Sequence, residues 1–221
     1  MANHGYLPRD GKRITAWQIV KGLRECYGLT TGFSIFLSYV TWIVLRKVGP
    51  VDLYEIGKHN AVEHDASLVH HDTPAGETYA PIEIDRELLD EFVKEARTEV
   101  EVDVPSSDPE KTKKEKLSLL TIADVGRARV RREKQSPPLS KFHAEIARGE
   151  VAIILGVWET KTKEVTGTRM DWLKLWLGEE RLPEGWRPTK QVGMFETMKR
   201  AKGIKLASEA VRREEGATPE Q

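Results

Sequence analysis

The sequence predicts an all-α protein, a single domain of about seven or eight helices. Three observations carry this. Helix-start signatures recur: Thr15 with Gln18, Asp52 with Glu55, and Thr121 with Asp124 each pair a capping side chain with one that can reach back to it. Apolar residues return at the spacing of one helix face, and β-branched runs are short with no internal repeat.

The first helix opens at Thr15, with Ile14 and Ile19 placed as a hydrophobic staple, and carries Trp17, Val20 and Leu23 on its apolar side up to Gly28. Cys26 falls on that same stripe and reads as a small core residue rather than a reactive thiol. A second helix runs from about Thr31 to Lys47 and stops at Gly49-Pro50. It is apolar almost all round, the mark of a helix enclosed by others. The 20 residues between Glu25 and Arg46 carry no charge. Because Gly28, Thr30, Thr31, Gly32, Ser34, Ser38 and Thr41 dilute the run, a buried helix is expected there rather than a membrane span.

Asp52 opens a third helix, on which Leu53, Ile56, Asn60 and Glu63 share one face. A fourth starts at Ile84-Asp85 and runs through Leu88, Leu89, Phe92 and Ala96. The stretch from Thr98 to Lys116 reads as a polar excursion or insertion, its lysines a solvated face. Thr121 and Asp124 start a helix that carries Arg127, Arg129, Arg131 and Arg132 and ends at Pro137-Pro138. Met170 to Leu177 is amphipathic, with Trp172 and Trp176 one turn apart. The composition divides the chain into a helical domain over residues 1–205 and a flexible polar tail over 206–221.

Charge excludes some functions. With 35 basic and 35 acidic residues, the chain has no net attraction for a phosphate backbone, so no nucleic-acid partner is expected. One cysteine forms no internal disulfide, and the opening residues do not form a signal peptide.

Two places concentrate chemistry. From His59 to Ser67, two carboxylates, two imidazoles, an amide and a hydroxyl fall within nine residues. A stable surface helix has no need of that mixture, and a carboxylate carried inward at Glu63 needs a cation or donors beside it. The second is Glu150, a lone carboxylate at the head of Val151-Ala152-Ile153-Ile154-Leu155. Desolvation there would favour its protonated form and suit a proton shuttle. An equally open reading has Glu150 facing solvent in the first turn of a helix.

These segments resemble a family. Ala2-Asn3-His4-Gly5-Tyr6-Leu7-Pro8-Arg9-Asp10-Gly11-Lys12 with Ile14-Thr15, then Glu63-His64-Asp65-Ala66-Ser67-Leu68, then Asp171-Trp172, Trp176 and Gly185-Trp186-Arg187-Pro188 resemble, in order, the fungal haem-thiolate peroxidases. That family includes chloroperoxidase and the unspecific peroxygenases. The resemblance implies a chloroperoxidase-like fold, haem b as cofactor, and hydrogen peroxide with a small organic substrate as partners. It also implies a Mg2+ or Mn2+ ion beside a haem propionate, held by Glu63, the backbone of His64 and the hydroxyl of Ser67. Glu150 would be the catalytic acid–base, His64 its hydrogen-bond partner and Asp65 the residue orienting the His64 ring. Val62 and Ile153 would border the cofactor and the apolar substrate space. The family's axial ligand is a cysteine in a Pro-Cys-Pro motif ahead of the Ala-Asn-His-Gly-Tyr segment. This sequence opens at Met1-Ala2-Asn3, so the axial cysteine is missing, and a chain truncated before Met1 is the expectation.

Two further readings stay open. The scaffold could serve a catalytically degenerate haem- or cation-binding protein. Alternatively, His59, Glu63, His64, His70 and His71 could form a non-haem metal site, because His59 and Glu63 are one helical turn apart.

Overall fold

The helix starts fall where the capping residues put them. In the computed structural model, which describes residues 1–105 and 112–217, Thr15 caps α1 (Ala16–Tyr27) and exchanges both capping-box hydrogen bonds with Gln18. Asp52 and Glu55 do the same for α3 (Leu53–Ile56), and Thr121 and Asp124 for α5 (Ile122–Gln135). Each box satisfies backbone N–H groups that a helix end otherwise leaves unpaired. Helix α2 spans Thr31–Val44, and α4 (Arg86–Glu95) is capped by Asp85, whose carboxylate accepts from the N–H of Glu87 and Leu88. Helix α6 covers Lys141–Val157, and α7 (Met170–Leu173) runs on into a wider π turn through Gly178. Helix α8 covers Met194–Ala217.

One core unites these pieces. Phe33 of α2, Leu89 and Phe92 of α4, Val125 and Ala128 of α5, and Val151, Ala152 and Leu155 of α6 bury their side chains together with Leu173 and Ile204. Trp158, at the C-terminal cap of α6, is 1% exposed and stacks on Trp186, with ring centroids 3.9 Å apart. The Trp186 indole donates to the Cys26 carbonyl (2.9 Å), and the Trp176 indole to the Tyr27 hydroxyl (3.3 Å). These aromatic contacts pin the turn-rich segment after α7 against α1 and α6. Cys26 is fully buried in α1, as its helix stripe implies, and burial pushes its thiol up to about 11.

Away from the candidate site, the structure corrects the sequence reading in three places. The molecule is mostly helical, but the described part of the segment from Thr98 to Lys116 is a pair of strands, which the sequence reading missed, with Lys114 and Lys116 exposed as expected. These strands belong to an antiparallel hairpin of β1 (Thr98–Pro105) and β2 (Thr112–Leu120), whose connection at residues 106–111 lies outside the described residues. Strand β2 pairs with β4 (Thr166–Arg169), and β4 with β3 (Glu159–Lys161), giving the sheet order β1-β2-β4-β3. Val100, Leu117 and Leu119 form a small core of their own, with Val102 and Val165 packed on it. The alternation of Val100 and Val102, and of Leu117 and Leu119, is the period-two pattern of a half-buried strand; the surrounding charges mask it.

Helix α2, secondly, is not enclosed. Phe36 is exposed where α2 borders an open groove, and Ile35, Tyr39 and Ile43 are exposed outside that groove. Thirdly, the expected tail from residue 206 continues α8 as helix to Ala217, while 218–221 lie outside the described residues. Small residues explain this. A Cβ at Gly126 would sit 2.6 Å from the Ala207 Cβ, so glycine lets α5 and α8 close together, and Ser208 Oγ donates to the Gly126 carbonyl at 3.3 Å. Among the described residues, no helix is long and apolar enough to cross a membrane.

Candidate functional site

The expected third helix stops after one turn. Beyond Ile56 the chain turns at Gly57, and Asn60 takes a left-handed conformation (φ 60°), so Glu63 sits in an irregular loop rather than on a helix face. Asparagine tolerates that conformation better than most residues. The loop is pinned to the next segment, with His59 N–H donating to the Thr78 carbonyl (3.0 Å) and Ala80 N–H to the Gly57 carbonyl (2.9 Å). His59 and Glu63 still meet, Nδ1 to Oε2 at 3.0 Å, through the loop's own fold.

His64 is 6% exposed. Its Nδ1 lies 2.7 Å from the Asp65 backbone carbonyl, an acceptor, so Nδ1 carries the proton of the neutral ring and Nε2 is the free lone pair. Asp65 therefore acts on the ring through its main chain. Its carboxylate instead accepts from the Thr73 N–H (3.2 Å) and stands 4.0 Å from His59 Nε2. The His64 Nε2 faces Glu150 Oε2 at 3.4 Å. Burial lowers the His64 pKa, but the hydrogen bond and charge of Glu150 together with the Asp65 carbonyl outweigh it, so the imidazole stands above its ordinary value.

Glu150 belongs to the middle of α6, whose first turn is at Lys141 under the Ser140 cap, so the first-turn reading of Glu150 is overturned. Its side chain is 53% exposed, so the surrounding protein does not dry it. It stands where two cavities meet. An apolar groove of about 880 Å³ runs between α2, α6 and α8, with Phe33, Phe36, Phe142, Ile153 and Met198 on its walls. A smaller cleft of about 400 Å³ is lined by Leu53, Ile56, Glu63, His64, Ser67 and His70, among others. Val62 and Glu150 line both.

Ser67 is occupied locally. Its hydroxyl accepts from the N–H of Val69 (3.4 Å) and His70 (3.2 Å) and lies 3.2 Å from His70 Nδ1. Burial lowers the His70 pKa, against an opposing pull from Glu150. His71 turns away to Asp85, beside the start of α4. Of the five groups a non-haem metal site would have needed, His71 is thus turned elsewhere, and His59 and Glu63 engage each other. Among the described residues, no three His, Cys, Asp or Glu side chains are arranged to hold a metal ion.

The loop's support comes from residues to which the sequence reading assigned no role. Two arginines of α5 reach its backbone: Arg129 Nη1 donates to the Ala66 carbonyl and Arg132 Nε to the Ser67 carbonyl, both at 2.7 Å. The sequence showed four arginines close together, but nothing in their spacing marked which two would turn inward.

A buried imidazole facing a cleft carboxylate, beside an apolar groove, is an arrangement chemically able to pass a proton next to an organic molecule. The profile of peroxidase family 2, the chloroperoxidase-like peroxidases, matches residues 1–191, and the chain belongs to that family. Among curated proteins, none matches the chain. Membership makes it an oxidoreductase of peroxidase type, with hydrogen peroxide and an organic molecule as its reactants and haem as the suggested cofactor.

Proposed function

We propose that the chain is a haem-dependent peroxidase or peroxygenase of haloperoxidase type, in which Glu150 is the acid–base and His64 its proton partner. One observation carries this reading: Glu150 stands on the shared edge of the two cavities, with His64 Nε2 3.4 Å away. The residues present suit the distal face of a haem, with one ionisable wall and the rest largely apolar. They do not offer it a thiolate, because Cys26 is fully buried in α1 and lines neither cavity. Haem bound in the cleft would be bordered by Val62, Glu63 and Ser67, with Ile153 in the adjoining groove, and would supply the iron at which the peroxide oxygen–oxygen bond is cleaved.

The chain's own residues then manage the protons. Glu150, as carboxylate, takes the proton from the inner peroxide oxygen and returns it to the outer oxygen, which leaves as water. The lone pair of neutral His64 can hold the Glu150 proton between those steps, and the Asp65 carbonyl keeps the ring in that tautomer. The groove would offer the organic substrate apolar walls, with Ile153 about one turn after Glu150 and Phe142 about two turns before it on the same helix.

A Mg2+ or Mn2+ ion does not fit the arrangement as it stands. Glu63 is taken by His59, and the Ser67 hydroxyl by two N–H groups and His70.

The test is to load the protein with haem and follow oxidation of a small phenol by hydrogen peroxide. Turnover that disappears in Glu150→Gln is the expected result. Haem uptake without turnover would favour a catalytically degenerate haem-binding protein, and no haem uptake at all would refute the peroxidase reading of this chain.

A further inference from the structure

The α5 helix sends its arginines two ways. Arg127 and Arg131 point toward α4, where they meet Glu95 and, in the case of Arg131, Glu91. Arg129 and Arg132 lie on another face of the helix and are almost fully buried, at 1% and 4% exposure. Burying a guanidinium is costly unless its N–H groups find acceptors, so their targets are informative.

Arg129 gives Nη1 to the Ala66 carbonyl and its Nε and Nη2 to Glu133 Oε1, at 3.2 and 2.9 Å. Arg132 gives Nε to the Ser67 carbonyl and Nη2 to Asp72 Oδ1, the latter at 2.9 Å. The same Asp72 oxygen accepts the Ala66 N–H at 2.7 Å. Ala66 is thereby gripped at both its N–H and its carbonyl. It needs that grip, because it is fully buried and left-handed (φ 62°), a conformation that disfavours a side chain bearing Cβ. The residue before it, Asp65, supplies the carbonyl that orients the His64 ring.

We propose that Arg129 and Arg132, with Asp72, are positioning residues of the acid–base pair: they lock the Ala66–Ser67 turn so that the Asp65 carbonyl aims the His64 ring at Glu150. This rests on reading Glu150 and His64 as that pair. The lock is a grip on backbone oxygens, so it sets the geometry of the loop without touching a reactant. A Lys at either position retains the charge but has a single donor nitrogen, so it loses the fork that spans two acceptors.

The test compares Arg129→Gln and Arg132→Gln with Arg127→Gln, which cuts contacts to α4 from the same helix. Amide hydrogen exchange over residues 64–72 and the imidazole 15N resonances of His64 are read in the whole chain without cofactor. The inward pair should speed exchange at Ala66 and its neighbours by tenfold or more and move the His64 resonances, whereas Arg127→Gln leaves both in place. Arg132→Lys should recover part of the native pattern. An equal response from all three Gln variants, or His64 resonances that do not move, would overturn the proposal. Should Arg129→Gln fail to fold, Asp72→Asn, a change on a partly exposed side chain, must reproduce the same pattern in weaker form; native exchange in that variant would also overturn it. Turnover is not a readout here. Full peroxide turnover in Glu150→Gln would remove the acid–base reading while leaving the loop lock to stand or fall on its own data.

Discussion

Glu150 and His64 reach the same point by opposite means. Glu150 is carried by α6, a regular helix whose Val151, Ala152 and Leu155 are sunk in the main core. Its position follows from helix geometry and the burial of its neighbours. His64 is carried by a loop with two left-handed non-glycine residues, Asn60 and Ala66, held by hydrogen bonds from elsewhere in the chain. One half of the pair is placed by packing and the other by polar contacts. A site built this way should respond differently to damage on its two sides.

The largest effect is expected from the chemistry itself. In haem-loaded protein, Glu150→Gln should lower peroxide turnover by roughly a hundredfold to ten-thousandfold, the usual worth of a positioned acid–base group. Above neutral pH, thermal unfolding should hardly change, because the side chain is half exposed and forms no part of the core. On the packing side, Leu155→Ala removes a core side chain that is 5% exposed, and should cost about 2–5 kcal/mol of stability by urea unfolding. On the polar side, Ala66→Val puts a β-branched side chain in a fully buried left-handed position. It should cost about 1–3 kcal/mol, with hydrogen exchange rising first in the loop rather than in α6. If the two stability variants opened the same region first, the division between packing and polar support would be wrong.

That division also explains what the sequence revealed. The helix starts were legible because a capping box is a local device: Thr15 with Gln18, and Thr121 with Asp124, act within one turn and need nothing distant. Glu150 stood out because a lone carboxylate against an apolar run is visible in one dimension, although its position within α6 was not. The loop was only half legible. Its dense mixture of polar residues marked it as a site, yet extending helical spacing through Asn60 to Glu63 failed, because Gly57 and Asn60 turn the chain. The inward turn of Arg129 and Arg132 depends on acceptors more than 60 residues away, so no local pattern could announce it. The same holds for α8, where Ala207 and Ser208 look like tail residues until Gly126 is set against them.

The pair has a pH signature with a definite sign. Glu150 holds the His64 imidazole above its ordinary value, so the charged pair stabilises the fold fully below about pH 6.5, the unfolded histidine's value, and loses that contribution as pH rises through the folded value. Unfolding titrations of the native chain and Glu150→Gln should therefore differ most at acidic pH and converge as pH rises above neutral.

The most direct measurement of the pair is the titration of His64 itself, followed by NMR in the native chain and in Glu150→Gln. With the carboxylate present, the imidazole should titrate above 6.5; with it removed, burial is left as the larger influence and the value should fall below 6.5. An unchanged His64 titration in Glu150→Gln would mean that the two side chains do not share a proton, and would contradict the account.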